Sequence, residues 1–441
     1  LQNFDGISYA KGRSDLRQLI GQIGDDAFIT AGRDYLSEHA YGNGQLADFI
    51  AALERSSGRS LADWSAQWLL TAGVDRIGVV PASGEVVRQP PADHPADRPH
   101  TLDVAGFTGG QEVWREPVTL DAPLTVVAGI APADVVVPNA ADLTWATAVL
   151  DPTTLAGLAD NLAAVPDRQA RAVVWAGLID GVALGTLDPR QVLEIFEQSW
   201  PLETEPAIAS RVGSYVVNRL VEEFLPVGER GVGMARVAQA ARLALAHAGD
   251  GPTALAAART LARTSVDVGE LTAWADGADV PLGLADDADF RWVVLTRLAE
   301  RGAVDDERLQ AYGETDHTLS GSWALLTARA AVPTAAAKEW AWSELTTNRH
   351  RSNYELNALA HGMWRSAPME VLRPFATAYF SDIPAMSAWV GEDALARVAD
   401  LGYPHPVVEP WVAELGEATL ATGTLTAAVR RAIVDGDSKL R

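Results

Sequence analysis

The stretch "HAYGNGQLADFIAALERSSGRSLADWSAQWLLTAGV", residues 39–74, sets the reading of the chain. Leu46, Phe49, Ile50 and Leu53 fall at i, i+3, i+4 and i+7, which predicts a helix with one buried face. Gly58 is its expected stop. "SLADWSAQWL" then opens a second helix, with Ser60 three residues ahead of Asp63 in the pattern of a capping box and with Trp64 and Trp68 one turn apart. Upstream, Leu16, Leu19, Ile20 and Ile23 repeat the same spacing. Residues 1–73 are therefore expected to be helical.

From about Val74 the period changes. "HTLDVAGF", "EVWREPVTL", "PLTVVAG" and "DVVVP" are short alternating or β-branched runs, broken by Gly109-Gly110 and by prolines, and predict strands. The proline-rich "RQPPADHPADRP" (88–99) has no apolar period and is expected to be a loop on the surface of a small β-sandwich, residues 74–150. After "LDPTTLAGLADNL" the chain turns rich in Ala and Leu with 3.6-residue periodicity, interrupted by "LGTLDPRQ", "LPVGERGVG" and "ADVPLGLADDADF". No fixed-length repeat is visible. An amphipathic helix cannot bury its stripe alone, so residues 151–441 are expected to stack as an irregular all-α solenoid.

Composition narrows the chemistry. The 441 residues include no cysteine, which removes disulfides, thiolate metal sites and thiol nucleophiles. Lys and Arg number 35 against 58 Asp and Glu, a formal charge of -23 that repels phosphate backbones and anionic membranes. Nucleic acid and membrane are not expected partners. With no secretory leader and no run of about 18 apolar residues, the chain is expected to be cytoplasmic. A start at Leu1, within sequence that reads as ordered, suggests a piece of something longer.

Local motifs give no complete active site. Of the eight histidines, no two are spaced to share a helix face as metal ligands, and H-E-x-x-H, G-x-S-x-G and the phosphate-binding glycine motifs do not occur. The densest basic cluster, Arg349-His350-Arg351, reads best as the exposed end of a helix. The 14 tryptophans are a heavy load, and those at 292, 340 and 342 sit in helical stripes that favour core packing over a ligand cage.

The opening residues carry more. Phe4, Asp5, Ile7, Ser8, Tyr9, Lys11 and Gly12, followed by an amphipathic helix, form a pattern that resembles zinc aminopeptidases of the aminopeptidase N family. Residues 39–74 resemble that family's helix pair ending in W-x-x-x-W. "VVVPNAADLTWATAVLD" (135–151) is similar to its L-x-N-x-D-x-x-Y signature, and "KEWAW" (338–342) to a further landmark. The resemblance implies three parts: the end of a thermolysin-like catalytic domain (1–73), a β-sandwich (74–150) and a C-terminal superhelical, HEAT-like bowl (151–441).

It also implies what is missing. The family's H-E-x-x-H zinc ligands and its G-x-M-E-N amine-binding segment lie ahead of the tyrosine, so zinc is expected in the full-length enzyme and neither zinc nor activity in this fragment. The implied partners are peptide substrates and the missing N-terminal half. In peptide hydrolysis negative charge gathers on the carbonyl oxygen, and a neutral donor aimed there lowers the barrier. Tyr9, by resemblance, is that donor; Lys11 and Gly12 read as structural, with Gly12 allowing close packing at the helix start. The chain departs from the family at Arg13 and Asp15 in the first helix, and at Ala141 and Trp145 in the second signature. The other reading of the residues is a non-catalytic α-solenoid scaffold with a β-sandwich adaptor, in which Tyr9 is a core aromatic.

Overall fold

The computed structural model describes residues 7–249, 251–281, 283–365 and 367–440. Phe4 and Asp5, part of the opening pattern, lie outside the described residues. The protein is mainly α with a small β part, and divides into two compact units, residues 1–212 and 213–441.

In the first unit a π-helical turn, Ile7–Lys11, runs into α1 (Gly12–Ile23), followed by α2 (Asp25–Glu38), α3 (Leu46–Ser57) and α4 (Ala62–Trp68). Leu19, Leu53, Leu61, Trp64 and Trp68 are all buried in one core. Within the segment expected to be helical, α2 was not delimited in the sequence, although Phe28, Ala31 and Tyr35 have helical spacing and Gly24, at a φ of 83°, breaks the chain ahead of it. Gly58 closes α3 in the left-handed region at a φ of 66°. The capping box expected at Ser60 and Asp63 is not there. Glu54 from the preceding helix takes its place, accepting from the Leu61 amide at 2.7 Å, while Asp48 accepts from the Gln45 amide at the head of α3 at 2.9 Å.

Seven strands follow: β1 (Asp75–Val80), β2 (Glu85–Gln89), β3 (His100–Thr108), β4 (Gln111–Leu120), β5 (Leu124–Val126), β6 (Val135–Pro138) and β7 (Ala146–Val149). They pair in two sheets, ordered β5-β2-β1-β7 and β4-β3-β6. Ile77, Val79 and Val86 of one sheet share a core with Leu102, Val104, Val118 and Val136 of the other, which makes the pair a sandwich. The segment 88–99 is not merely a surface loop, because Arg88 and Arg98 at its ends are buried. Arg98 donates to the carbonyls of Gln67, Thr71 and Ala72 and to Asp75. It thereby ties the end of the helical segment to the first strand.

A second tie comes from α1. Gln18, buried, donates to the carbonyls of Thr101 at 2.7 Å and Leu143 at 2.9 Å and accepts from the Thr101 amide at 2.7 Å. Leu143 lies in the loop of the "NAADLTW" signature. That loop turns because Asn139, at a φ of 57°, caps the Leu143 and Thr144 amides with its side chain. Asp151 and Pro152 then start α5 (Pro152–Asn161), the carboxylate accepting from the Thr153 and Thr154 amides. The helices α6 (Arg168–Ala183), α7 (Pro189–Ser199) and α8 (Pro206–Tyr215) carry the chain to the second unit.

Among the described residues the second unit has helices and no strand. A π-helical segment, Val216–Phe224, precedes α9 (Val227–Ala248), α10 (Ala254–Thr264), α11 (Val268–Ala275), α12 (Ala288–Glu300), α13 (Asp306–Gly313) and α14 (Leu319–Ala331). Then come α15 (Ala335–Thr346), α16 (Asn353–Met363), α17 (Met369–Ala385), α18 (Glu392–Leu401), α19 (Pro410–Ala421) and α20 (Ala427–Leu440). Alternate helices pack: α10 on α12, α12 on α14, α14 on α16, α16 on α18 and α18 on α20 form one row, and α15, α17 and α19 another. This is the stacking expected of helix pairs that cannot bury their stripes alone. Lys338 of "KEWAW" is wholly buried, its ammonium donating to the carbonyls of Ala330, Gly362 and Arg365. Trp292 and Trp342 are core residues and Trp340 is partly buried under Arg329. No helix of the described residues is long and apolar enough to cross a membrane.

Candidate functional site

Tyr9 stands on the π-helical turn, in which one extra residue per turn rotates its side chain out of the register that α1 continues. The side chain is 66% exposed. It borders an open groove of about 460 Å³ formed by the first turns of α1, by Leu46, Phe49 and Ile50 of α3, and by Trp64 and Leu69. The wall is apolar apart from Arg13 and Asp15. A phenol at the lip of such a groove can donate a hydrogen bond to an oxygen held above it.

Asp15 is the group in this groove that sequence reading did not single out for function. It is 2% exposed, and its Oδ1 has no hydrogen-bond partner among the described residues. Burial pushes its carboxyl up to about 6, against the opposing pull of Lys11 and Arg98. Its signal was an acid at an apolar-stripe position beside Leu16 and Leu19. Among the described residues, a Cβ at Gly12 would meet nothing within 4 Å, so the close packing expected there is not seen among them.

Leu36, Tyr41 and Leu70, together with Tyr9 itself, are also exposed on this helical segment. Leu16 and Leu46, which line the groove, are exposed as well, so apolar side chains at the groove itself stand open.

The remaining candidates are structural. Arg351 is held by Glu344 and Glu355 at the start of α16, and His350 is exposed. His100 is buried in an ion-pair network with Asp75, Arg88 and Arg98. Among the described residues no three His, Asp or Glu side chains come together as a metal would require. The zinc implied by the resemblance does not fit the residues present here.

Against this geometry, two family models match the chain: the ERAP1-like C-terminal domain over residues 135–441 and the peptidase family M1 domain over residues 1–68. The chain is 31% identical to an aminopeptidase N of Streptomyces lividans, an alignment that covers 99% of this chain and 54% of that protein. Over 72 residues it is 40% identical to a tricorn protease-interacting factor F2 of Thermoplasma volcanium, covering 16% of this chain and 9% of that one. An aminopeptidase A of Legionella pneumophila, solved in complex with aspartic acid, shares the fold at a TM-score of 0.62 and 14% identity, over 99% of this chain and 57% of that one. The chain thus spans about half the length of the aminopeptidase N that it matches from end to end. With the greater part of its residues in one match and its first helices in the other, the chain belongs to the ERAP1-like C-terminal domain family, preceded by a stretch of peptidase family M1 domain.

Proposed function

We propose that this chain is the C-terminal part of a cytoplasmic zinc aminopeptidase that removes N-terminal residues from peptides, and that Tyr9 is its catalytic contribution. The observation that carries the reading is the placement of Tyr9 at the mouth of an open apolar groove, on the segment that matches a peptidase domain. The zinc and its ligands belong, on this reading, to the part of the enzyme outside this sequence. We read the chain as three parts, divided at residues 73 and 150; the change from helix to strand and back supports this reading.

Tyr9 acts through its hydroxyl. As the scissile carbonyl becomes tetrahedral, its oxygen gains charge, and the phenol donates a hydrogen bond that is stronger to the oxyanion than to the starting carbonyl. One such donor contributes roughly 2.7–4 kcal/mol to the barrier. The hydroxyl adds no charge that would hold the ground state equally well. The exposed Tyr9, Leu16 and Leu46 that line the groove support the presence of a packing partner, which we take to be the N-terminal half of the enzyme. A scaffold role does not account for the match of residues 1–68 to a peptidase domain.

The test is hydrolysis of aminoacyl-anilides by the whole enzyme and by its Tyr9→Phe variant, with this 441-residue chain assayed beside them. The expected result is an inert chain and a variant whose kcat falls about 100-fold or more at little change in KM. A variant as active as its parent removes Tyr9 from the chemistry. Hydrolysis by the isolated chain would place the catalytic groups here instead.

A further inference from the structure

We infer that the pocket walled by α10, α12, α14 and α16 is a binding site for a small oxyanion, a carboxylate or a phosphate, gripped by Arg263 and Arg297. The pocket has a volume of about 210 Å³ and lies wholly within the second unit. Arg263, Arg297 and Arg365 all line it. This is a chain of net charge -23, so three guanidiniums around one pocket are not an effect of composition.

The charge does not balance inside. Glu300 is the buried acid, and its two oxygens are taken: Oε1 accepts from Arg365 at 2.6 Å and Oε2 from Arg297 at 2.7 Å. Arg365 spends a further N–H on Nε2 of His361, 2.6 Å away, so that this nitrogen is the unprotonated acceptor. Arg297 spends its Nε on the Ser265 carbonyl, which leaves Nη2 uncommitted. Arg263 has no hydrogen bond or ion pair among the described residues. Asp289 stands at the exposed rim.

Arg263 is half-buried, and burial together with the like charges of Arg365 and Arg259 draws its guanidinium below the usual value. The attraction of Glu300 does not outweigh these, and no carboxylate among the described residues contacts this cation directly. Arg259, one turn earlier on α10, faces Asp287 instead at 3.7 Å. A guanidinium fork matches a carboxylate or a phosphate with two parallel hydrogen bonds, which is the geometry the free donors of Arg263 and Arg297 can supply. The rigid frame for the site is the α14–α16 crossing: Thr327 Oγ1 donates to the Ala358 carbonyl at 3.1 Å, and the Lys338 ammonium holds the Arg365 carbonyl at 3.0 Å.

The experiment is calorimetric titration of the 441-residue chain at low ionic strength with inorganic phosphate and, separately, with succinate, repeated on Arg263→Gln and Arg259→Gln. Saturable binding of either probe is expected, weakened at least 10-fold by Arg263→Gln and left within about twofold by Arg259→Gln. Phosphate alone would identify a phosphoryl ligand, succinate alone a carboxylate, and either result supports the site. Absence of saturable binding of both probes to the unaltered chain overturns the inference, whatever the variants do. Equal binding by Arg263→Gln, with an unchanged urea midpoint, also overturns it. If that variant lowers the midpoint, Arg263→Lys is read in its place, with the same loss expected because a lysine lacks the fork.

Discussion

Nε2 of His100 lies 2.9 Å from Oδ2 of Asp75, and both side chains are closed off from solvent. Nδ1 of the same ring is 2.7 Å from the Thr144 hydroxyl. A carboxylate can only accept, so Nε2 carries the proton and Nδ1 takes the Thr144 hydroxyl as its donor. Burial drives His100 toward its neutral form, and the pull of Asp75 does not outweigh it. Asp75 shows the reverse balance: burial alone would raise its carboxyl, but His100, Arg98 and Arg88 together hold it below the usual range. One carboxylate therefore joins the first strand to the loop that brings in Arg98 and, through Thr144, to the Asn139 turn.

Asp75→Asn leaves the Arg88 and Arg98 guanidiniums buried without their shared counter-charge. Removing one partner of a buried pair costs about 3–5 kcal/mol. Urea unfolding should show that loss. Asp97 is 88% exposed at its side chain and reaches only Arg88, so it cannot stand in. A cost under 1 kcal/mol would mean that water or a rearranged Asp97 neutralises the pair.

Asp15 gives the chain an unusual response to pH. Its folded carboxyl titrates at about 6, above the ordinary 3.8. The folded protein thus holds a proton there that the unfolded chain has lost, and stability from this group is full below about 4 and falls as pH rises through about 6. Asp15→Asn, neutral throughout, should raise the thermal midpoint relative to the parent at pH 8, with the difference narrowing as pH falls and closing only below about 4. A difference that does not change with pH would show that Asp15 is neutralised by Lys11 or Arg98 at all pH values.

Gln18→Ala exposes a different dependence. The side chain satisfies the Thr101 amide and the Thr101 and Leu143 carbonyls, and each buried group left without a partner costs roughly 1–3 kcal/mol. Amide exchange should quicken at Thr101 and in the 139–144 turn, with the α15–α20 core unaffected. Uniform exchange across the chain would deny that Gln18 is a local clamp.

Gly362 sits where α16 crosses α14, and a Cβ there would lie 2.4 Å from the Thr327 carbonyl oxygen and 2.7 Å from the Ala330 Cβ. Both neighbours are on a packed helix and cannot move aside singly. Gly362→Ala should destabilise by about 1–3 kcal/mol through overpacking, read as a lower urea midpoint. An unchanged midpoint would mean that the crossing can widen without cost.

Much of the architecture was legible in the chain because it follows from period. The helical stripe of Leu46, Phe49, Ile50 and Leu53, the left-handed stop at Gly58, the β-branched runs of 100–138 and the Asp151-Pro152 helix start each depend on residues within one or two turns of each other. The capping box misread at Ser60 shows the limit of local pattern. Glu54, six residues earlier, was better placed to accept from the Leu61 amide once α3 and α4 were folded against one core.

The candidate site divides along the same line. Tyr9 could be singled out because its neighbours in sequence carry a recognisable pattern, whereas the groove beside it is assembled from α1, α3 and α4 and has no continuous signature. Asp15 read as a departure from the family's pattern; that its Oδ1 is buried without a partner among the described residues follows from packing alone. Arg263, Arg297 and Arg365 are far apart in the chain and look like three ordinary surface cations. Charge in a sequence has a sign but no environment. Local spacing, set by backbone geometry, determined which segments would be helix and strand. Which charges lost their water, and which of those found an opposite charge, was decided by the stacking of helices distant in sequence, because desolvation depends on what the fold brings alongside.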